Sequence, residues 1–288
     1  MHARTMLEPL RLLVVALRFL TRLPLPGVGF GRDDLRRASA LFPLVGAVVA
    51  GVGIGFRAAL EPLWGSGVAT VAALAAMIAV TGALHEDGLA DTADGLWGGW
   101  DVARRLEIMR DSRIGTYGVV ALIIVLGLQA SLLLPLALAD FARAVACGHV
   151  LGRASTLLLV RLLPVATAPT MGGMGDMTGE ATPAAGSGNG NGNGNGLPRP
   201  RLGAAVVGPL SLWGTLTAVI VVVLTVLLAT GVWAAVPLAA ALITCLLCAG
   251  LFRRRLGGIT GDTLGAANRL VELAAIAAVA ALAHAKLG

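Results

Sequence analysis

Long apolar runs, separated by short segments rich in arginine or glycine, dominate this chain. A helix needs about 20 apolar residues to cross a bilayer. We predict seven such spans, at residues 38–60, 66–84, 117–139, 141–165, 203–229, 232–251 and 264–284. The fourth has the weakest signal, because it carries three arginines and a histidine. The pattern therefore predicts an all-α, polytopic integral membrane helix bundle that forms one membrane-embedded domain over residues 1–288.

Two segments outside the predicted spans have patterns of their own. The apolar N-terminal stretch is interrupted by Arg11 and Arg18, and a basic amphipathic segment of this kind lies in the membrane interface. We therefore predict an N-terminal interfacial helix. Residues 172–198 contain alternating glycine and asparagine, a composition typical of a flexible loop.

Composition agrees with a membrane protein and excludes some functions. Hydrophobic residues make up 57% of the chain and charged residues 13%, whereas soluble domains carry about 25% charged residues. The net charge of +6 comes mainly from arginine, which in a membrane protein marks cytoplasmic loops, so we expect no nucleic-acid partner. Cys245 and Cys248 lie in an apolar run and are read as small packing residues rather than as a zinc or redox pair.

The distribution of arginine predicts the orientation of the bundle. Arginines cluster before the first predicted span, after the second, before the fifth and after the sixth. With seven spans and a cytoplasmic N-terminus, every cluster lies in the cytoplasm, as the positive-inside rule requires. Residues 85–116 and 252–263 then lie on the same side, where they can line one cytoplasm-facing pocket.

Acidic residues are concentrated after the second predicted span. Seven of the sixteen carboxylates lie between Glu86 and Asp111. Asp87, Asp91 and Asp94 are spaced i, i+4, i+7, which places them on one face of a helix. Such like charges repel unless a cation lies between them, and Mg²⁺ is typically held by a few carboxylates together with substrate phosphates. The spacing predicts metal-assisted phosphate chemistry; a solvated acidic loop is the alternative.

Residues next to these aspartates are candidates for proton transfer and phosphate binding. His85 and Glu86 directly precede Asp87, and either could accept a proton, although His85 could equally be a hydrogen-bonded interfacial histidine. Arg110 and Arg113 lie one turn apart, and guanidinium groups bind phosphate oxygens well. Asp111 could orient one of these arginines or hold metal. Anchoring of the arginines at the membrane surface is the alternative.

Two later segments add polar residues at positions where apolar ones are expected. Asp262 follows a run of glycines at the start of the last span, where it could also serve the helix N-terminus. Asn268 and Glu272 share a helix face inside the membrane, where ionisable residues are costly and usually functional. His149 and Arg153 share a face of the fourth span; they could bind a phosphate or form a structural ion pair.

Four segments together resemble the adenosylcobinamide-GDP ribazoletransferase family, also called cobalamin synthase. They are Phe-Leu-Thr-Arg-Leu-Pro-Leu-Pro at 19–26, His-Glu-Asp-Gly-Leu-Ala-Asp-Thr-Ala-Asp-Gly at 85–95, Arg-Asp-Ser-Arg-Ile-Gly-Thr-Tyr-Gly at 110–118 and Gly-Ile-Thr-Gly-Asp-Thr-Leu-Gly-Ala at 258–266. The resemblance implies an enzyme of a bacterial or archaeal inner membrane that requires Mg²⁺. It would join adenosylcobinamide-GDP to α-ribazole or α-ribazole 5′-phosphate, giving adenosylcobalamin or its 5′-phosphate and GMP. The glycine–asparagine tract departs from the family pattern.

The resemblance gives each candidate residue an expected role in one catalytic domain. Glu86 or His85 would accept the proton of the attacking hydroxyl group. The expected metal ligands are Asp87, Asp91, Asp94 and Asp262, and the expected phosphate or nucleotide contacts are Arg110, Asp111, Arg113 and Arg153.

Two other functions compete with this interpretation. A polytopic phosphoryl or prenyl transferase acting on a lipid diphosphate would also place spaced aspartates at a membrane face. A divalent-cation transporter would carry acids in the middle of several spans, whereas most acids here lie at one face. The sequence leaves open whether the protein acts alone or in a complex with other late enzymes of cobalamin assembly.

Overall fold

A computed structural model describes residues 2–28, 32–167 and 210–285. Within these ranges the chain is helical, and its one isolated β-bridge joins Val165 to Ile259. The all-α fold class is therefore confirmed, while the predicted loop at 172–198 lies outside the described residues. The helices, labelled α1 to α10, are His2–Leu20, Arg32–Ala38, Phe42–Thr81, Leu84–Gly98, Val102–Ile108, Thr116–Leu133, Leu138–Leu162, Leu212–Thr230, Ala235–Leu256 and Gly261–Ala285.

The long helix α3 folds back on itself at Gly65. Its 40 residues would extend about 60 Å if straight, about twice the hydrocarbon thickness of a bilayer. Gly65 breaks the helix with φ +77° and ψ 169°, a conformation that is accessible mainly to glycine. The two halves then pack side by side: Arg57 hydrogen-bonds Thr70, and Gly53 lies against the side chain of Met77. Helix α3 therefore forms an antiparallel hairpin and supplies the first two predicted spans.

The described residues contain six helices that are long and apolar enough to cross a membrane. They are Asp33–Thr81, Thr116–Leu133, Leu138–Leu162, Leu212–Trp233, Ala235–Leu256 and Gly261–Ala285. Because the first is folded at Gly65, these helices provide seven apolar segments, in agreement with the sequence prediction. Helix α1 is not among them, and its position in the membrane interface stays a prediction.

Contacts between helix ends show which segments share one end of the bundle. The backbone N–H of Arg22, after α1, donates to Val80 O at the end of α3 over 2.7 Å. The residues after α7 form backbone hydrogen bonds with Ile259, just before α10. Arg105 of α5 donates to the carbonyl oxygen of Arg255 at the end of α9 over 2.9 Å. The segments 85–116 and 252–263 therefore lie at the same end, as predicted from the arginine pattern.

Small residues allow the two central helices, α7 and α10, to approach closely. A Cβ atom on Gly148 would lie 2.7 Å from the Ile276 side chain, and one on Gly152 would lie 2.9 Å from Asn268 O. Close approach through small residues is how helices pack where lipid removes the hydrophobic drive between them. Cys147, Cys245 and Cys248 are buried and free, which agrees with their interpretation as packing residues.

Candidate active site

Helix α4 carries the three regularly spaced aspartates. It follows a tight turn in which Gly82 and Ala83 both have positive φ. Asp87, Asp91 and Asp94 are all helical, as predicted, but their burial differs: Asp87 is exposed, Asp91 is half-buried and Asp94 is buried. The three carboxylates therefore share a face without sharing an environment.

A contact between two glycines brings α4 against the start of α10. A Cβ atom on Gly88 would lie 2.8 Å from the carbonyl oxygen of Asp262 and 3.2 Å from Cα of Gly265. The backbones of α4 and α10 are therefore in direct contact at this crossing, which is possible only because glycine has no Cβ atom. The crossing places Asp87 of α4 next to the segment that carries Asp262.

Asp87 and Asp262 line one open cavity of about 700 Å³. His85 also lines it, and five of its lining side chains, which we call the apolar wall, are hydrocarbon. The apolar residues are Phe19, Leu20, Phe42, Leu84 and Leu264. The structure thus brings together residues from both segments that the sequence places on one side of the membrane, and it adds side chains from α1 and the start of α3.

Asp94 holds the start of α6. Its carboxylate accepts hydrogen bonds from the backbone N–H groups of Gly115, over 2.7 Å, and of Gly118, over 2.9 Å. The first N–H groups of a helix lack partners within the helix, and an acidic side chain satisfies them well. A Cβ atom on Gly118 would lie 2.5 Å from Asp94 Oδ2, so this glycine makes room for the contact. Each carboxylate oxygen keeps a further acceptor site, and the metal role of Asp94 stays a prediction.

The carboxylates fit a magnesium site that substrate completes. Among the described residues, no group of three His, Cys, Asp or Glu side chains is arranged to hold a metal by itself. Mg²⁺ usually needs only one or two carboxylates together with substrate phosphates and water. Asp87 and Asp262 line one cavity and would supply such a pair of carboxylates, and Asp91 lies one helical turn beyond Asp87. The larger ligand set, which adds Asp91 and Asp94, stays a prediction.

Glu86 faces away from the aspartates, toward a buried ionic network. Its Oε1 lies 3.4 Å from Nε of Arg269 on α10. Arg269 also forms a 2.5 Å ion pair with Glu272 and a hydrogen bond with Gln129 of α6, and Gln129 in turn donates to Glu272 over 3.1 Å. Sequence reasoning missed Arg269 and Gln129. Their presence in apolar spans, where polar side chains are costly, was the available signal.

Arg153 and His149 join the same network from α7. His149 Nδ1 lies 3.1 Å from Glu272 Oε2, and Arg153 Nη1 lies 3.9 Å from the same oxygen. Within the described part of the chain, Nε and Nη2 of Arg153 are buried without a hydrogen-bond partner. The structure therefore shows the ion-pair alternative for Arg153, and its predicted phosphate contact stays a prediction.

His85 lies between the network and the open cavity. It lines the cavity with Asp87 and Asp262, and it also lines a second, narrow pocket with Arg153 and Arg269. Burial lowers the pKa of His85 well below its ordinary value, and the charge of Arg153 lowers it further. A neutral imidazole therefore faces the carboxylates.

The predicted phosphate-binding arginines lie in the exposed turn between α5 and α6. Arg113 forms a 2.6 Å ion pair with Asp111, which lowers the pKa of Asp111 to about 2 and raises the pKa of Arg113. Arg110 is exposed. The structure does not place Arg110, Asp111 or Arg113 in the lining of the 700 Å³ cavity. The turn leads directly into Gly115, which binds Asp94, so it lies next to the far half of α4.

Comparison with known proteins identifies the family. No solved structure shows significant similarity. Proteins named adenosylcobinamide-GDP ribazoletransferase from Leptothrix cholodnii and Ralstonia nicotianae are 37% and 38% identical to the chain, each over 92% of it and 93% of their own length. One of the same name from Xanthobacter autotrophicus is 51% identical over 42% of the chain and 48% of its own. The cobalamin-5-phosphate synthase family matches residues 12–187 and 195–280, omitting part of the glycine–asparagine tract. The chain belongs to this family.

Proposed function

We propose that the chain catalyses the Mg²⁺-dependent transfer that joins adenosylcobinamide-GDP to α-ribazole or α-ribazole 5′-phosphate and releases GMP. The names of relatives that match nine-tenths of the chain support this activity. The structural observation that carries the proposal is the cavity lined by Asp87 of α4 and Asp262 of α10. This cavity brings together two acidic residues that are distant in sequence, at one end of the bundle.

In this reaction a phosphodiester forms at the 3′-hydroxyl group of the riboside while the phosphoanhydride bond to GMP breaks. Mg²⁺, when bound, would neutralise charge on the transferring phosphoryl group and on the departing GMP. Asp87 and Asp262 would hold it, with Asp91 and Asp94 as further ligands. Asp94 also fixes the start of α6 against α4 through its two backbone hydrogen bonds.

We propose different roles for the two candidate bases. His85 lines the cavity with Asp87 and Asp262, so we propose that it accepts the proton of the attacking hydroxyl group. Glu86 instead faces Arg269 and holds α4 against α10. Arg110 and Arg113 would bind phosphate oxygens from the exposed turn.

We also propose that the site faces the cytoplasm from the inner membrane. Arginine-rich segments of α2, α5 and the end of α9 flank the end of the bundle at which the cavity lies. An excess of arginine marks the cytoplasmic side of a membrane protein.

The proposal is tested by GMP release from adenosylcobinamide-GDP and α-ribazole, with purified protein in lipid vesicles. We expect activity with Mg²⁺ and none with EDTA. Asp87→Asn and Asp262→Asn should each lose at least about a hundredfold in rate, because a metal ion contributes several kcal/mol of transition-state stabilisation. Asp33→Asn, the same change at an exposed aspartate of α2, is the control. Wild-type rates in both site variants would refute the metal assignment.

A further inference from the structure

We infer that the apolar wall of the 700 Å³ cavity binds the aromatic base of the acceptor riboside, and that Phe19 and Phe42 determine the preference for that base. The inference rests on the proposed function and assigns a substrate part to a region of the cavity. The roles of the aspartates and of the ionic network do not explain why these side chains of the cavity are apolar.

The wall is built around two stacked rings from different elements. The ring centroids of Phe19 and Phe42 are 5.8 Å apart and the ring planes differ by 9°. Phe19 lies in the last turn of α1, and Phe42 is the first residue of α3. Phe42 is buried while Phe19 is only partly buried, so the pair borders the cavity rather than closing it. A third flat ring can add to such a pair by offset stacking or edge-to-face contact.

The cavity lining combines acidic and apolar side chains, and a riboside substrate combines a polar and an apolar part. Its 3′-hydroxyl group must lie close to the diphosphate that the carboxylates would bind. Its base is then one ribose away from that hydroxyl group, and the apolar side chains of the same cavity are available to bind it.

The donor also contains an aromatic base, guanine, but the wall fits it poorly. Guanine carries hydrogen-bond donors and acceptors along its edge, and burying them without partners costs free energy. The side chains of the apolar wall offer only hydrocarbon, and Thr156 adds a single hydroxyl group to the lining, fewer partners than the edge of guanine needs. The benzimidazole of α-ribazole presents a hydrocarbon edge to such a surface, so we commit to the acceptor base as the occupant.

The test separates the Michaelis constants of the two substrates. Phe19→Leu and Phe42→Leu, in full-length protein in vesicles, should raise KM for α-ribazole about three- to tenfold, the value of an aromatic contact. KM for adenosylcobinamide-GDP and kcat should stay unchanged. Phe19→Tyr, which keeps the ring, should restore the wild-type KM. Phe252→Leu alters a buried ring of α9 outside the cavity lining and should change neither constant.

Each contrary outcome has a defined meaning. A rise in KM for adenosylcobinamide-GDP instead would show that the donor binds to the apolar wall. No change in either KM would show that the two rings serve only in packing. Either result would overturn the inference. If Phe42→Leu fails to accumulate, wild-type protein assayed with a polar purine riboside replaces it. Equal KM values for that acceptor and α-ribazole would also overturn the inference. Failure of the proposed function is distinct, because wild-type protein would then release no GMP.

Discussion

The buried ionic network gives a quantitative prediction about stability. Four ionised groups meet among α4, α7 and α10: Arg153 and Arg269 carry positive charge, and Glu86 and Glu272 carry negative charge. The formal charges cancel. Glu272 is the centre of the network, since it contacts Arg269 at 2.5 Å and His149 at 3.1 Å. Glu272→Gln keeps the shape of the side chain but leaves one buried positive charge without a counterion.

Breaking a buried pair by removing one partner costs about 3–5 kcal/mol, because the remaining charge is desolvated and uncompensated. At about 2–4 °C per kcal/mol for a chain of this size, the midpoint of thermal unfolding should fall by about 10 °C. The double variant Arg269→Met/Glu272→Leu removes one charge of each sign. It should recover part of the loss, because the buried charges balance again. Recovery should be incomplete, because Glu86 loses its contact with Arg269 and Arg153 loses its contact with Glu272.

The measurement is thermal unfolding of purified protein, compared among wild type, Glu272→Gln and the double variant. Glu107→Gln is the control, because Glu107 forms an exposed pair with Arg104 and such pairs contribute little. A midpoint for Glu272→Gln equal to that of the control would refute the reasoning. So would a double variant that is no more stable than the single one.

Two further predictions concern the site. Gly88→Ala places a Cβ atom 2.8 Å from the carbonyl oxygen of Asp262, so α4 and α10 must separate. The GMP release rate should then fall about a hundredfold, because a misplacement of about 1 Å at an active site has an effect of this size. Gly127→Ala, whose Cβ meets nothing within 4 Å, should keep the wild-type rate, and equal rates in both variants would contradict the prediction. The pKa of Asp111 is lowered to about 2 from 3.8 by Arg113, so any stabilisation from this pair is complete above the ordinary pKa and is lost only as the pH falls toward 2. Asp111→Asn should therefore leave the shape of the pH–rate profile between about pH 5 and about pH 9 unchanged, and a displaced limb in that range would show that Asp111 titrates there.

Hydropathy and charge predict the transmembrane arrangement because the bilayer imposes both. The length of the apolar runs anticipates seven segments, including the reversal near Gly65, and the arginine clusters anticipate which segments share an end. Arg11 and Arg18 likewise distinguish α1 from a span. These features depend on whether each segment contacts lipid or water, and the hydropathy and charge of a single sequence indicate this.

The partners of each polar side chain depend on tertiary packing, and spacing alone does not reveal them. The i, i+4, i+7 pattern gives Asp87, Asp91 and Asp94 the same expected role, yet the structure gives Asp94 a further one, since its carboxylate accepts hydrogen bonds from the N-terminus of α6. Gln129 and Arg269 escaped notice for a similar reason. Nothing in the periodicity of α6 or α10 states that these two side chains face each other.

Helix α1 is peripheral to the bundle, yet it supplies Phe19 to the cavity. With α1 in its predicted interfacial position, the bilayer surface would support this wall from below. A detergent micelle would replace that flat support by a curved one. The base preference that we propose for the wall is therefore best measured in vesicles.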